Sequence, residues 1–226
     1  MKKILFPLAL ASFVLFACNA KDSPAASSGG PSKSDTSYAF GIAIGNSIKQ
    51  TSVEIDYNAF LNGFKDSMEG KKAKMTAEEA NTAIQAAITA KMAVVSEENK
   101  AKEAKYLEEN GKKSGVTTTA SGLQYEVITQ GTGAKPGATD VVKVDYVGTL
   151  LDGTTFDSSV SRGEPAVFPL DQVIPGWTEG IQLMSIGSKY KFYIPSSLAY
   201  GESGAGDVIT PYSTLVFEVD LLSIEK

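Results

Sequence analysis

The sequence predicts an α+β protein, with a helical N-terminal half and a C-terminal antiparallel sheet wrapped on one short helix. Two observations lead to this prediction. Between residues 34 and 115, apolar side chains recur every three to four positions, which is typical of amphipathic helices. After Gly115, β-branched and aromatic residues occur in short alternating runs separated by glycine and proline clusters, which is typical of antiparallel strands.

Residues 1–17 are predicted to form a secretory signal peptide. Lys2 and Lys3 precede a largely apolar stretch, residues 4–17. This stretch is long enough for the apolar core of a signal peptide and shorter than the roughly 18 to 20 residues that span a bilayer. The chain is therefore expected to be exported.

The run LFAC at residues 15–18 resembles a bacterial lipobox, in which cleavage before the cysteine accompanies its acylation. Cys18 is the predicted lipidation site. The alternative, an ordinary buried cysteine, would leave an exported chain with one unpaired thiol. Residues 18–33, which are rich in Ser, Gly, Ala and Pro, are expected to be the lipidated cysteine and a flexible tether. Acyl chains would anchor the protein to a bacterial membrane, and Asn19 favours the outer membrane.

Residues 34–115 are expected to form a helical dimerisation segment and a long stalk helix. The segment starts with two short amphipathic helices, the second of which Asp56 can cap and Gly70 can end. The residues that define these helices by their spacing are Tyr38, Ile42, Gly45 and Ile48 in the first and Tyr57, Phe60, Leu61, Phe64 and Met68 in the second.

A third helix is predicted to run from Thr76 to about Asn110. Thr76 and Glu79 fit a capping box, in which each side chain accepts a hydrogen bond from the other residue's backbone N–H. At 1.5 Å per residue the helix would be roughly 50 Å long. Its apolar stripe fades after Val95, and residues 97–105 are mostly Glu, Lys, Ala and Asn. Its second half is therefore expected to be a solvated stalk.

The helical segment is expected to form a homodimer through residues 34–95. Three helices of this size expose their apolar stripes unless they find a partner. A symmetric dimer is the commonest way to cover such stripes.

The C-terminal half is predicted to contain four strands and one helix. Glycine and proline clusters separate these elements, as expected for the turns of a small antiparallel domain. The strands are predicted over residues 123–129, 141–150, 189–195 and 214–224, and the helix over residues 177–184.

The composition excludes several kinds of functional site. The chain has no histidine and one cysteine, which excludes Ser-His and Cys-His triads, His-ligated zinc and an internal disulfide. The carboxylates are scattered without a second type of ligand, so no metal and no cofactor are expected. A formal net charge of -5 argues against nucleic acid as a partner, because phosphate binding needs clustered Lys and Arg.

The C-terminal half contains five short motifs of aromatic, glycine and acidic residues. They are VDYVGTL at residues 144–150, GTTFDSS at 153–159, VIPGWTEG at 173–180, YG at 200–201 and TLVFEV at 214–219. In this order they resemble the FKBP family of peptidyl-prolyl cis-trans isomerases. The helical segment and the lipobox resemble the lipid-anchored, dimeric branch of that family typified by the macrophage infectivity potentiator proteins. The resemblance implies an isomerase domain over residues 116–226.

The resemblance also implies an aromatic pocket with a polar edge. Its polar members would be Asp157 and Tyr200, with Arg162 supporting the rim and contributing to substrate binding. The Tyr200 hydroxyl and the Ile174 backbone N–H would donate to carbonyls of the bound peptide. The apolar members implied are Tyr146, Phe156, Val173, Ile174, Ile209 and Phe217 in the walls and Trp177 in the floor.

These residue types suit the isomerisation of an Xaa-Pro amide. A twisted amide has less charge separation than a planar one, so a dry aromatic cavity favours it. The expected substrates are proline-containing peptides and unfolded exported proteins, with chaperone-like binding by the dimer. The alternative is a protein-binding or chaperone module of low turnover that uses the same pocket or the helical cleft.

Three positions depart from the common family pattern: Ala166, Gln172 and Ala205. They bear on substrate preference and on the affinity for the macrocyclic inhibitors that the resemblance implies. Phe168, Ile181 and Leu215 are assigned to the core.

Overall fold

The computed structural model describes residues 30–225. The predicted signal peptide, Cys18 and most of the predicted tether lie outside the described residues. The helices are α1 (Lys33–Gln50), α2 (Tyr57–Met68), α3 (Ala77–Asn110), α4 (Ser159–Arg162) and α5 (Pro175–Leu183). The strands are β1 (Val116–Thr118), β2 (Gln124–Thr129), β3 (Val141–Leu150), β4 (Thr155–Ser158), β5 (Ala166–Pro169), β6 (Lys189–Ile194) and β7 (Leu215–Glu225). The predicted α+β class is confirmed.

The predicted helix ends are confirmed in α2 and α3. The Asp56 carboxylate accepts hydrogen bonds from the backbone N–H groups of Asn58 and Ala59, at 2.8 and 3.1 Å. Thr76 and Glu79 form the capping box, because Glu79 N–H donates to the Thr76 hydroxyl and Thr76 N–H donates to the Glu79 carboxylate. These caps satisfy backbone donors that a helix start leaves free.

The two short helices leave their apolar side chains exposed. Neither α1 nor α2 contains a buried residue. The large exposed apolar side chains of these helices are Tyr38, Phe40, Ile42, Tyr57, Leu61, Phe64 and Met68. Among the described residues, no helix is long and apolar enough to cross a membrane.

The second half of α3 packs against the C-terminal half along one face, so the expectation of a solvated stalk holds only for its other faces. Residues Asn99, Glu103, Tyr106 and Asn110 follow one another at three- to four-residue spacing, and each is half-buried or buried. The Asn110 side chain donates to Gln124 Oε1 at 3.0 Å, and Gln124 donates to a carbonyl of α3 at 2.8 Å. The ring of Tyr106 also packs on Tyr193, with centroids 6.0 Å apart. Because the other three residues make their contacts through hydrogen bonds, a fading apolar stripe gives little sign of this packing.

The C-terminal half is a seven-stranded antiparallel sheet in the order β1-β2-β6-β7-β3-β4, with β5 paired to the other end of β3. Alternate residues of β3 point into the core, among them Val142, Val144 and Tyr146. Helix α5 packs on this face through Trp177 and Ile181. The sheet and α5 therefore enclose one apolar core.

Three short strands are not predicted from the sequence. Helix α5 starts at residue 175, two residues before the predicted start at residue 177. Strands β1, β4 and β5 have three or four residues each, too few for a clear alternation. Helix α5 begins at Pro175, whose ring fits the first turn because a backbone N–H is not needed there. A side chain at Gly176 would place its Cβ 2.4 Å from Ile194, so only glycine lets α5 lie this close to β6.

Candidate active site

A cavity of about 420 Å³ opens beside α5 and the sheet. Strands β3, β4, β5 and β7, the start of α5 and the loop between β6 and β7 contribute to its wall. The lining residues are Tyr146, Phe156, Asp157, Phe168, Gln172, Val173, Ile174, Trp177, Tyr200, Ile209 and Phe217.

The indole of Trp177 forms the floor of the cavity and is 4% exposed. Three rings meet it edge to face, with centroid distances of 5.1 Å to Tyr146, 5.6 Å to Phe168 and 5.2 Å to Phe217. Such pairs are more favourable than apolar contact alone. The indole Nε1–H has no hydrogen-bond partner within the described residues. The floor therefore offers an apolar surface with a single polar donor and no charge.

One wall depends on a glycine in β3. Gly148 pairs with Asp157 of β4 on one side and with Phe217 of β7 on the other. A Cβ at Gly148 would lie 2.7 Å from ring atoms of both Phe156 and Phe217. The missing side chain lets these two rings meet edge to face, with centroids 5.4 Å apart.

The polar edge of the cavity is a group of three side chains: Tyr146, Asp157 and Arg162. The Tyr146 hydroxyl and the Arg162 guanidinium each donate to the Asp157 carboxylate. Arg162 also donates to the Tyr146 oxygen at 2.9 Å. The turn after β4 holds this arrangement, because buried Ser159 accepts from Tyr146 N–H at 2.9 Å and donates to Asp145 at 2.8 Å.

These contacts shift the pKa values of all three groups. Burial would raise the pKa of Asp157, but hydrogen bonds from Tyr146 and Arg162 outweigh it and hold that pKa below its ordinary value. Burial, followed by the hydrogen bond to Asp157, raises the pKa of the Tyr146 hydroxyl. Hydrogen bonds to Tyr146 and Asp157 raise the pKa of Arg162. Near neutral pH the group therefore contains a carboxylate, a phenol and a guanidinium.

Two hydrogen-bond donors of the cavity lining lack a protein acceptor among the described residues. Neither the Tyr200 hydroxyl nor the Ile174 backbone N–H has a hydrogen-bond acceptor within residues 30–225. Tyr200 is 42% exposed, so its hydroxyl is accessible from solvent. Ile174 immediately precedes α5.

The structure brings nine of the ten pocket residues inferred from the sequence into this lining. They are Tyr146, Phe156, Asp157, Val173, Ile174, Trp177, Tyr200, Ile209 and Phe217. The tenth, Arg162, lies behind the lining and contacts it through Asp157 and Tyr146.

Ile181 and Leu215 are fully buried as expected, whereas Phe168 is half-buried, packs against the core and also lines the cavity. Phe168 lies opposite Val142 where β5 pairs with β3, and this register directs its ring towards Trp177 and the cavity. The alternation of residues 166–169 could have indicated a strand, but four residues are too few to show which face is open. Gln172, which is exposed, also contributes to the cavity.

Two families match the chain. Residues 132–222 match the family described as FKBP-type peptidyl-prolyl cis-trans isomerase, and residues 33–127 match the domain amino terminal to FKBP-type peptidyl-prolyl isomerase. Together the two matches cover the described helices α1 to α3 and nearly all of the sheet.

Individual relatives align over most of the chain. FKBP-type peptidyl-prolyl cis-trans isomerase FkpA of Aeromonas hydrophila is 54% identical over 203 residues, covering 84% of this chain and 75% of the relative. Outer membrane protein MIP of Legionella longbeachae is 41% identical over 201 residues, covering 86% of each. The crystal structure of FkpA from Escherichia coli matches with a TM-score of 0.64 at 38% identity, covering 86% of this chain and 97% of that one.

Proposed function

This chain belongs to the FKBP-type peptidyl-prolyl cis-trans isomerase family and is an enzyme of that class, and we propose that Xaa-Pro bonds of exported proteins turn in its aromatic cavity. One observation supports this site most directly: the Asp157 carboxylate and four packed aromatic rings line the same open cavity. The rings are those of Tyr146, Phe168, Trp177 and Phe217. In this proposal residues 116–226 form the isomerase domain, and residues 34–115 form the dimerisation segment and stalk.

The cavity suits the reaction because rotation weakens the polarity of the amide. Rotation about a planar Xaa-Pro amide bond meets a barrier of about 18 to 20 kcal/mol, so uncatalysed isomerisation takes tens to hundreds of seconds. Transfer from water to an aromatic cavity costs a planar, strongly dipolar amide more than a twisted one. Trp177 and its neighbouring rings would supply that environment. Each 1.36 kcal/mol of preference for the twisted form gives a tenfold faster reaction.

The polar groups would orient the peptide without transferring a proton. The donors at Tyr200 and Ile174 would hold carbonyl oxygens on either side of the rotating bond. The Asp157 carboxylate, fixed by Tyr146 and Arg162, would lie close to the amide. Macrocyclic inhibitors that mimic the twisted amide would occupy the same cavity.

We expect kcat/KM for an uncharged, blocked Xaa-Pro peptide to stay constant from about pH 5 to pH 9, measured by cis-trans exchange. The lowered pKa keeps Asp157 ionised down to below the ordinary value of about 3.9, and the raised pKa keeps Tyr146 protonated above about 10. The contribution of ionised Asp157 to the free energy of unfolding is present above its pKa in the unfolded chain. This contribution is lost as the pH falls through the lower pKa of Asp157 in the folded protein. A bell-shaped profile centred within this range would contradict the mechanism.

The dimer is proposed because α1 and α2 present apolar side chains to solvent with none buried. Leu61 and Phe64, one turn apart on α2, are 49% and 45% exposed. Because each is already about half-buried, covering the exposed part in a second copy would gain roughly half of the 1.5 to 3 kcal/mol that full burial of such a side chain contributes. In the dimer, the two aromatic cavities and the cleft between the helices would bind unfolded clients in a chaperone-like way.

We expect light scattering to give a dimer mass for the Cys18→Ser chain and a monomer mass after Phe64→Glu is added. A buried carboxylate without a partner is too costly for the interface to form. Asn62→Glu, on the same exposed helix, is the matched control and should remain a dimer. If the chain without either glutamate is already a monomer, the dimer proposal is wrong.

The lipid anchor is proposed from the lipobox. We expect Cys18 to be acylated when the chain is produced in a Gram-negative bacterium. Growth with a labelled fatty acid should label the chain in the membrane fraction, whereas the Cys18→Ser chain should remain unlabelled. Equal labelling of the two chains would contradict the assignment of Cys18.

A further inference from the structure

The loop between β6 and β7, residues 195–214, carries two members of the cavity, Tyr200 and Ile209. It contains two single turns of 3-10 helix, at residues 196–198 and 201–203, and no longer helix or strand. A bridge between Ala205 and Ile209, with hydrogen bonds of 2.8 and 3.2 Å, turns Ile209 back towards the cavity. The path of such a loop depends on what holds its ends.

One carboxylate of α3 holds both ends of this loop. Glu103 accepts from the backbone N–H of Ser196 at 2.5 Å and from the Ser196 hydroxyl at 3.0 Å. The hydroxyl of Thr214 donates to the same carboxylate at 2.9 Å. Ser196 and Thr214 are each 4% exposed and Glu103 is half-buried, so these bonds are partly shielded from water. Hydrogen bonds to a charged acceptor in such a place are stronger than neutral ones.

The helix touches the loop again one turn earlier. The Asn99 side chain donates to the hydroxyl of Thr210 at 2.9 Å and to the carbonyl of Pro211 at 2.7 Å. The ammonium group of Lys100 lies 4.3 Å from the ring centre of Tyr212. Tyr212 has a φ of +56°, a conformation that costs a non-glycine residue energy unless its surroundings impose it.

We propose that Glu103 is a positioning residue for the isomerase reaction, because its carboxylate fixes both ends of the loop that carries Tyr200 and Ile209 into the cavity. This inference rests on the proposed cavity. It makes the second half of α3 part of the catalytic unit, although no residue of α3 lines the cavity. Any change in how α3 lies on the sheet would then alter the cavity wall.

The test compares the full-length chain with its Glu103→Ala, Glu103→Gln, Glu98→Ala and Asp157→Ala variants. Glu98 is exposed, pairs with Lys102 at 3.7 Å and makes no bond to the loop, so Glu98→Ala is the matched control. Rates of cis-trans exchange of an Xaa-Pro peptide give kcat and KM separately. Fluorescence of Trp177, the single tryptophan, reports on the cavity.

We expect Glu103→Ala to lower kcat/KM roughly tenfold, because small displacements of binding groups have effects of this order. KM should rise more than kcat falls, and the emission of Trp177 should shift, since Tyr200 and Ile209 lie in the same cavity. Glu103→Gln keeps one acceptor oxygen and should have an intermediate kcat/KM. Glu98→Ala should stay within about twofold of the parent chain.

A Glu103→Ala chain with a lower melting temperature but unchanged kcat/KM and Trp177 emission would overturn the proposal, because Glu103 would then serve stability alone. If that variant fails to fold, Glu103→Gln decides in the same way, because it weakens only part of the contact. If Asp157→Ala also leaves exchange unchanged, the proposed cavity itself is wrong. If Asp157→Ala loses activity and Glu103→Ala does not, the role of Glu103 is rejected, but the cavity is still supported as the site of the reaction.

Discussion

Replacing Asp157 by alanine is expected to lower kcat/KM for an Xaa-Pro peptide roughly thirtyfold. The carboxylate is the shared acceptor of the Tyr146 hydroxyl and the Arg162 guanidinium, so its removal leaves two donors at the cavity edge without this partner. This change in rate corresponds to a loss of about 2 kcal/mol of transition-state stabilisation. The rate of cis-trans exchange at catalytic enzyme concentration is the measurement.

Two further variants separate position from charge. Asp157→Asn keeps the shape and one acceptor oxygen and should lose less activity than Asp157→Ala. Asp171→Asn changes an exposed carboxylate that does not line the cavity, and it should behave like the parent chain. Equal activity of Asp157→Ala and the parent chain would contradict the assigned site.

Replacing Trp177 by alanine is expected to lower the free energy of unfolding by about 3 to 5 kcal/mol, because it removes a large buried side chain. The indole is 4% exposed and packs against Tyr146, Phe168 and Phe217, so the loss also removes the support of three other rings. Denaturant unfolding monitored by circular dichroism gives the change. Exchange activity should fall as well, since the cavity loses its floor.

Trp177→Phe is the matched variant, because it keeps an aromatic ring in the floor. It should lose less stability than Trp177→Ala and retain part of the activity. Full stability of the alanine variant would show that the indole is not a structural part of the core.

In the helical half, the sequence predicts the starts of the helices correctly where one or two capping residues determine them. The caps at Asp56 and Thr76 are such cases, because a side-chain oxygen satisfies neighbouring backbone donors whatever the rest of the chain does. The packing of α3 on the C-terminal half is not predicted from the sequence, because Asn99, Glu103 and Asn110 act through hydrogen bonds and polar residues on a helix normally indicate solvent.

The order of the motifs predicts most of the pocket, whereas the shape of the sheet is not predicted by any local pattern. The motifs contain Tyr146, Phe156 and Trp177, so resemblance alone named most of the wall. Phe168 lies outside every motif, and its position depends on the pairing of β5 with β3. Pairing between distant short strands follows from the whole sheet and cannot be read from four residues.

Rotation about Xaa-Pro bonds is expected to take place in the cavity above Trp177. The most direct test titrates the full-length chain with a proline peptide and follows Trp177 fluorescence and cis-trans exchange in the same samples. Both signals should saturate at the same peptide concentration, and a peptide with alanine in place of proline should change neither. Exchange that saturates while the fluorescence of Trp177 stays constant would place the reaction elsewhere on the molecule.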